Sequence, residues 1–388
     1  MTASTRMNVA RSDVVGSLLR PTYLREARQG MREGRASAAE LHTAEDRAVR
    51  EAIALQEAAG LDVITDGELR RQSWVVTIPL REEGASHAPL AGYEFLQAEP
   101  GWWSLWKEPD GQRAQVWTAP TRPFITKPLQ VVRDIVAEEY AFLKANAHHR
   151  TKFTIPAPSW HRIFWHPQYS GAVYPTPEDF LRAIADYMRT EVIDKMITLG
   201  ADYLQLDAPN YAQWHVDLEN RAAFETWGHD MATELIADAA IDNTVFEGIS
   251  GLTRAIHMCR GNAPGGRWLA KGGYEHIAAE VFPRLSNFDR LLLEYDTPRA
   301  GDFGPLRHVL PQHTIVLGLL TTKKGALEDA GAVEARIREA TQYIPLERLA
   351  LSPQCGFASG EAGNPLTAAE QEAKLRLVAQ VAQRVWPR

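Results

Sequence analysis

Cysteine is nearly absent from this chain: only Cys259 and Cys355 occur in 388 residues. That excludes a disulfide-stapled scaffold, and two free thiols suit a reducing compartment such as the cytoplasm. Neither sign of charge dominates. Forty-two basic and 49 acidic residues leave a formal charge of -7, which gives no electrostatic footprint for nucleic acid. No apolar run approaches the ~20 residues that a membrane helix needs. The opening MTASTRMNVARSDVV has no apolar core of an export signal. Repeats and low-complexity tracts are missing, which argues against solenoids and disordered tails. The expectation is a cytoplasmic protein with no nucleic-acid and no membrane partner. With 45% hydrophobic and 23% charged residues, it has the composition of a globular protein that buries a large core.

Helical and strand signals alternate along the chain. Three capping boxes, Ser37-Ala-Ala-Glu40, Thr176-Pro-Glu-Asp179 and Thr367-Ala-Ala-Glu370, each open a segment with apolar residues at helical spacing. Between helices lie short apolar runs suited to strands buried on both faces: Asp13–Leu18, Leu61–Thr65, Lys152–Ala157, Asp202–Leu206, Arg254–Met258, Arg290–Tyr295, Thr314–Leu319 and Arg348–Ser352. Eight such runs separated by helices predict an α/β fold, a (β/α)8 TIM barrel forming one domain over 1–388. Residues 78–125 break the pattern. They hold Trp102, Trp103, Trp106 and Trp117 among Gly and Pro, and we read them as an insertion after the second strand, either a hairpin or lid at the barrel mouth or an inert excursion.

Polar residues gather just after the strands, where such barrels build their sites. Ser17 and Arg20 follow the first run, Asp66 and Glu68 the second, Ser159 and Trp160 the third, and Asp207 the fourth. His257 and Cys259 mark the fifth, Glu294 and Asp296 the sixth, Lys323 the seventh and Cys355 the eighth. Residues two apart on a strand point the same way, so His257 and Cys259 can converge on one ion. With Cys355 and Glu294 they offer one imidazole, two thiolates and a carboxylate, a donor set that suits tetrahedral zinc. The same thiols also read as small buried hydrophobes, and the carboxylate as half of an ion pair.

The strings His257-Met-Cys-Arg-Gly-Asn262, Leu-Glu-Tyr-Asp296-Thr-Pro-Arg299-Ala-Gly-Asp302 and Ser352-Pro-Gln-Cys355-Gly-Phe-Ala-Ser359 resemble the cobalamin-independent methionine synthase family. They are most similar to its short, single-barrel members, which share the catalytic half of the long synthases and include epoxyalkane:coenzyme M transferase. Val15-Gly-Ser17-Leu-Leu-Arg20, Thr65-Asp-Gly-Glu68 and Leu204-Gln-Leu-Asp207 extend the resemblance over most of the chain. It implies that His257, Cys259 and Cys355 bind zinc, with Glu294 in a fourth position that yields to a substrate thiol. It further implies that Ser17, Glu68 and Asp207 hold the amino-acid part of homocysteine and that Trp160 flanks a folate-like donor. Arg20 is available to clamp a carboxylate or sulfonate.

Two departures bear on the donor. An Asp-Glu-Pro of the long synthases is here Asp207-Ala208-Pro209, and a histidine proposed there as proton donor is replaced near Thr321–Lys324, leaving Lys323 as the catalytic candidate. The function implied is zinc-dependent methyl transfer to a small thiol, homocysteine first, from a methyl-folate, a methyl-corrinoid protein or another alkyl donor. The alternatives are addition of a thiol such as coenzyme M to an epoxide and, more distantly, a non-catalytic protein stabilised by zinc.

Overall fold

The strands form where short apolar runs are flanked by polar or glycine-bearing turns. The computed structural model describes residues 9–79, 88–97, 121–263 and 265–387. Within them lie β1 (Val63–Ile64), β2 (Leu90–Gln97), β3 (Thr121–Val131), β4 (Arg150–Thr151), β5 (Phe153–Pro156), β6 (Tyr203–Asp207), β7 (Thr253–Met258), β8 (Arg290–Glu294), β9 (Thr314–Leu320) and β10 (Leu349–Pro353). Strands β5 to β10 make one parallel sheet in chain order, with helical segments in the connections. This is the α/β arrangement with a parallel sheet that the alternation predicts. Seven of the eight expected runs are strands, with ends within two residues of those expected.

The first run is the exception. Only Ser12, just before it, makes an isolated parallel bridge, to Leu351 of β10. Beyond that point side chains replace a ladder as far as Gly16, and main-chain bonds resume at Ser17 and Leu18, to Phe357 and Gly67. Asp13 Oδ1 accepts from Val14 N at 2.8 Å, the Lys152 ammonium takes the Val14 carbonyl, Gln205 Nε2 donates to Val15 O at 3.0 Å, and Thr65 Oγ1 donates to Gly16 O at 2.8 Å. On its other flank the segment is tied to β1 through Asp62, which accepts from Arg11 N and Ser12 N at 2.7 and 3.1 Å. Strand β1 in turn pairs in parallel with β4, one residue before β5.

Within the strands the two faces bury different partners. Leu204, Leu206, Ile256, Leu291, Leu293, Ile315, Leu317, Leu349 and Leu351 belong to the main core with the helices. A separate small cluster takes Ala10, Val63, Tyr203, Ala255, Leu292, Val316 and Ala350, one residue from the first segment and one from each of β1, β6, β7, β8, β9 and β10. Since side chains alternate along a strand, Gln205 and Asp207, His257, and Glu294 share the face of Tyr203, Ala255 and Leu292.

All three capping boxes are present, opening helices Ala38–Ala59, Pro177–Tyr187 and Ala368–Val385. In the expected insertion, β2 and β3 form an antiparallel pair from Leu90↔Val131 to Gln97↔Thr121, so the pairing runs past residue 125. The pair packs on the segment after β5: Phe124 lies 5.4 Å from Tyr169 between ring centroids, and Tyr174 Oη accepts from Leu129 N at 3.0 Å. Trp102, Trp103, Trp106 and Trp117 lie outside the described residues. Among the described residues no helix is long and apolar enough to cross a membrane.

Candidate metal centre

Three strand ends converge on the donor atoms. His257 is the penultimate residue of β7 and pairs in register with Asp207 of β6; Cys259 follows β7 directly. Cys355 arrives from β10, whose end crosses close over β9. A Cβ at Gly318 would meet Gln354 Cα at 2.7 Å and Leu293 O at 3.0 Å, so glycine is what lets this backbone approach and brings Cys355 inward. The ligand atoms of His257, Cys259 and Cys355 lie within 4.8 Å of one another, all three residues buried. The two sulfurs are 3.5 Å apart.

Two further observations fit a metal. Neither ring nitrogen of the buried His257 has a nitrogen or oxygen partner; what faces the ring is the Cys355 sulfur, so the imidazole is directed at the thiols rather than tied to the scaffold. The two thiols are driven apart: Cys259, hydrogen-bonded to Cys355 and buried, is pushed well up, while Cys355, facing Cys259, His257 and Lys323, is drawn well down. Burial pulls the His257 imidazole down, but the Cys355 sulfur and Asp207 outweigh it, and its pKa ends above the ordinary value. One imidazole and two sulfurs at this spacing are donors of the kind zinc takes. The described residues thus hold a His/Cys/Cys group suited to a metal ion.

Glu294, expected as the fourth donor, lies outside that group. Its oxygens are committed: one accepts from Arg260 N at 2.7 Å, and the other forms an ion pair with Arg299. The Arg299 guanidinium also stacks on Trp268, 4.4 Å from the ring centroid.

The residues expected to meet substrate adjoin the centre. Glu68 sits at φ 55°, the only described non-glycine residue with positive φ, in a turn where Asp66 Oδ1 accepts from its amide at 2.9 Å. The carboxylate rests on Gly16, where a Cβ would collide with Oε1. Thr154 donates to Oε1 at 2.8 Å, and Oε2 has no partner. Burial raises the Glu68 pKa against the pull of Arg71 and Arg20. Burial likewise pushes Asp207 up to about 7, opposed by His257; its Oδ1 accepts from Gln205 Nε2 at 2.7 Å. Ser17 Oγ accepts from Ala358 N at 3.3 Å and lies where a Cβ on Gly356 would fall, so Ser17 stands beside Cys355.

Arg20 is placed differently from expectation. It is buried, and its two terminal nitrogens donate to main-chain carbonyls: Ala358, Glu68 at 3.2 Å and Arg71 at 3.2 Å. The fork ties three loops together through its terminal nitrogens, and Nε is the one guanidinium nitrogen without a partner. Trp160 is buried edge-on to Trp74, with centroids 4.9 Å apart. Lys323 Nζ donates to Gly261 O at 2.8 Å and Arg267 O at 3.2 Å; burial lowers its pKa, against the sulfurs and Glu294 nearby.

Sequence reasoning passed over Asn262, Gln205 and Arg299. Asn262 and Arg299 lie inside the quoted strings, yet nothing in their type reveals that one faces a sulfur and the other Glu294. For Gln205 the signal was available: an amide two residues before Asp207 on a strand must share its face.

Comparison with known proteins agrees in kind. The family model described as the catalytic domain of cobalamin-independent synthase matches residues 11–86. The uncharacterized protein YxjH of Bacillus subtilis is 35% identical over 379 residues, covering 97% of this chain and 94% of that protein. The methionine synthase of Sulfurisphaera tokodaii is 26% identical over 216 residues, 54% of this chain and 56% of that protein. Among solved structures, the putative vitamin-B12 independent methionine synthase of Listeria monocytogenes superposes with a TM-score of 0.69 at 27% identity, covering 98% of this chain and 100% of that one.

Proposed function

Since the chain belongs to the cobalamin-independent methionine synthase family, whose members are methyltransferase-type enzymes, we propose that it transfers a methyl group to homocysteine at a zinc centre held by His257, Cys259 and Cys355. The observation that carries this reading is the convergence, within 4.8 Å, of one imidazole and two sulfurs, all buried, the sulfurs 3.5 Å apart. When bound there, zinc lowers the pKa of a substrate thiol, so that sulfur is presented as the nucleophilic thiolate at neutral pH.

The protein's own groups place the rest of the substrate. Glu68 and Asp207 are buried carboxylates that an incoming ammonium group would neutralise, and Ser17 offers a hydroxyl to the amino acid's carboxylate. Glu294, held by Arg299 and the Arg260 amide, acts in this reading as part of the charged wall beside the sulfurs. Lys323 acts as their counter-charge, its amine fixed on two carbonyls. Trp160 with Trp74 is the aromatic surface we assign to the donor, a methyl-folate or a methyl-corrinoid protein. The family also contains thiol additions to epoxides with coenzyme M as thiol, but both terminal nitrogens of Arg20 are taken by carbonyls, which weakens it as a two-pronged clamp for a sulfonate and favours an amino thiol.

The same reading takes the sheet as a closed (β/α)8 barrel in one domain, with 78–125 inserted near its mouth. Its support is the ring-like cluster drawn from seven segments and the bridge and side-chain bonds that join the first segment to β10 and β1.

The test is calorimetric titration of the zinc-loaded protein with homocysteine and with coenzyme M, with metal content measured in parallel. Glu68→Gln and Asp207→Asn should each weaken homocysteine by at least tenfold, since losing a buried charge partner typically costs ~2–5 kcal/mol in binding, and should retain zinc. Cys259→Ser and Cys355→Ser should lose most of it. Unchanged homocysteine affinity in both acid variants, or binding of coenzyme M alone by the wild type, would overturn the homocysteine assignment.

A further inference from the structure

The loop after β7 does more than carry Cys259. Its Gly261 amide faces the Cys259 sulfur, and the side-chain amide of Asn262 reaches across to the other strand. Asn262 Nδ2 lies 3.3 Å from Cys355 Sγ, 2.9 Å from Gly356 O and 2.8 Å from Ser359 Oγ. The Gly356 carbonyl can only accept, so the NH2 end, not the oxygen, must face it. The same NH2 therefore points at Cys355. The donor to Cys355 comes from a side chain, so it can be removed by substitution.

We infer that Asn262 is a positioning residue for the metal centre, whose N–H···S hydrogen bond fixes the direction of the Cys355 sulfur and withdraws charge from it. This rests on the proposed role of Cys355 as a metal ligand. Hydrogen bonds to metal-bound sulfurs tune the metal, and replacing a partner that orients a ligand typically costs about 10–100-fold in metal affinity. The bond makes Cys355 a weaker electron donor than it would otherwise be. Asn262 also bonds the Gly356 carbonyl, so the residue that aims the sulfur holds the backbone that carries it.

The experiment is replacement of zinc by Co²⁺ in the full chain, reading the near-ultraviolet sulfur-to-cobalt charge-transfer band at saturating cobalt. Removing a hydrogen bond raises the energy of the sulfur electrons, so Asn262→Ala should move the band to longer wavelength and weaken cobalt about 10–100-fold. The isosteric Asn262→Asp, which sets an oxygen against the sulfur, should move it in the same direction. The two N–H bonds of Asn262 serve three acceptors, so Ser359→Ala removes a competitor of the sulfur, and its band should stay at the wild-type position or move to shorter wavelength, opposite to the Asn262 variants. An unshifted band in both Asn262 variants overturns the inference. So does complete loss of cobalt binding or of native circular dichroism in both, since one hydrogen bond to sulfur cannot account for the whole site or fold. If the wild type itself shows no sulfur-to-cobalt band, the metal-centre reading falls and the inference with it; a wild-type band with unshifted variants removes the inference alone.

Discussion

His161 is fully buried, with Nδ1 2.9 Å from the Ala157 carbonyl and Nε2 2.7 Å from Thr77 Oγ1. The carbonyl needs a donor, so Nδ1 carries the proton and Nε2 accepts from the threonine. Burial depresses its pKa from 6.5 to about 4. The unfolded chain therefore binds this proton more tightly, and stability should be full above about pH 6.5 and fall as the pH drops towards 4. At pH 5 the single group accounts for about 2 kcal/mol. Denaturant unfolding at pH 7.5 and 5.0 should show the wild type losing that much more than His161→Gln, whose amide can keep both hydrogen bonds; equal losses would put the acid sensitivity elsewhere. At this scale a sequence gives residue types more readily than tasks. His257, Cys259 and Cys355 were legible because strand alternation and shared chemistry point them at one place. The partners that Arg20 and Glu294 take here, three carbonyls in one case and Arg299 with a main-chain amide in the other, were not, because they are settled only by the fold.

Elements that depend on neighbours in sequence were the easiest to read. Each capping box closes within four residues, so Ser37, Thr176 and Thr367 start their helices whatever the rest of the molecule does. The segment 13–18 failed as a strand because the carbonyls of Val14, Val15 and Gly16 go to the side chains of Lys152, Gln205 and Thr65, none of them near in sequence. The close crossing of β10 over β9 at Gly318 is another long-range feature, since an isolated glycine in a strand announces neither its neighbour nor the distance. Gly318→Ala would press a methyl group on backbone atoms of Gln354, Leu293 and Pro353, which have little room to yield. The expected loss is ~1–3 kcal/mol of stability together with weaker zinc binding, because the displaced backbone leads directly to Cys355. Unfolding midpoints and metal competition would check this; wild-type values for both would mean that β10 can shift without moving the thiol.

For the whole molecule, a buried knot of charge joins the first segment to the sheet. Lys152 Nζ reaches Asp13 Oδ1 at 2.8 Å and Gln205 Oε1 at 2.7 Å. Tyr203 Oη donates to Asp13 Oδ2 at 2.9 Å, and Arg290 stands 3.7 Å from the same oxygen. Removing one partner of a buried pair strands the other, so Lys152→Met should cost ~3–5 kcal/mol, with part of it regained in the Lys152→Met/Asp13→Asn double variant. Chemical denaturation of the three proteins measures this, and additive effects of the two substitutions would show that the groups are energetically independent. The knot and its flank also set a schedule for synthesis. Arg11 Nη1 bonds the Leu349 carbonyl, 338 residues along the chain, so the first segment cannot find its β10 neighbour until all the residues between them have left the ribosome. Contacts of such long sequence separation form slowly and leave unpaired edges exposed meanwhile. The nascent chain must therefore wait with β1 and its amino-terminal flank unsealed, and chaperone dependence during translation should concentrate on that seam.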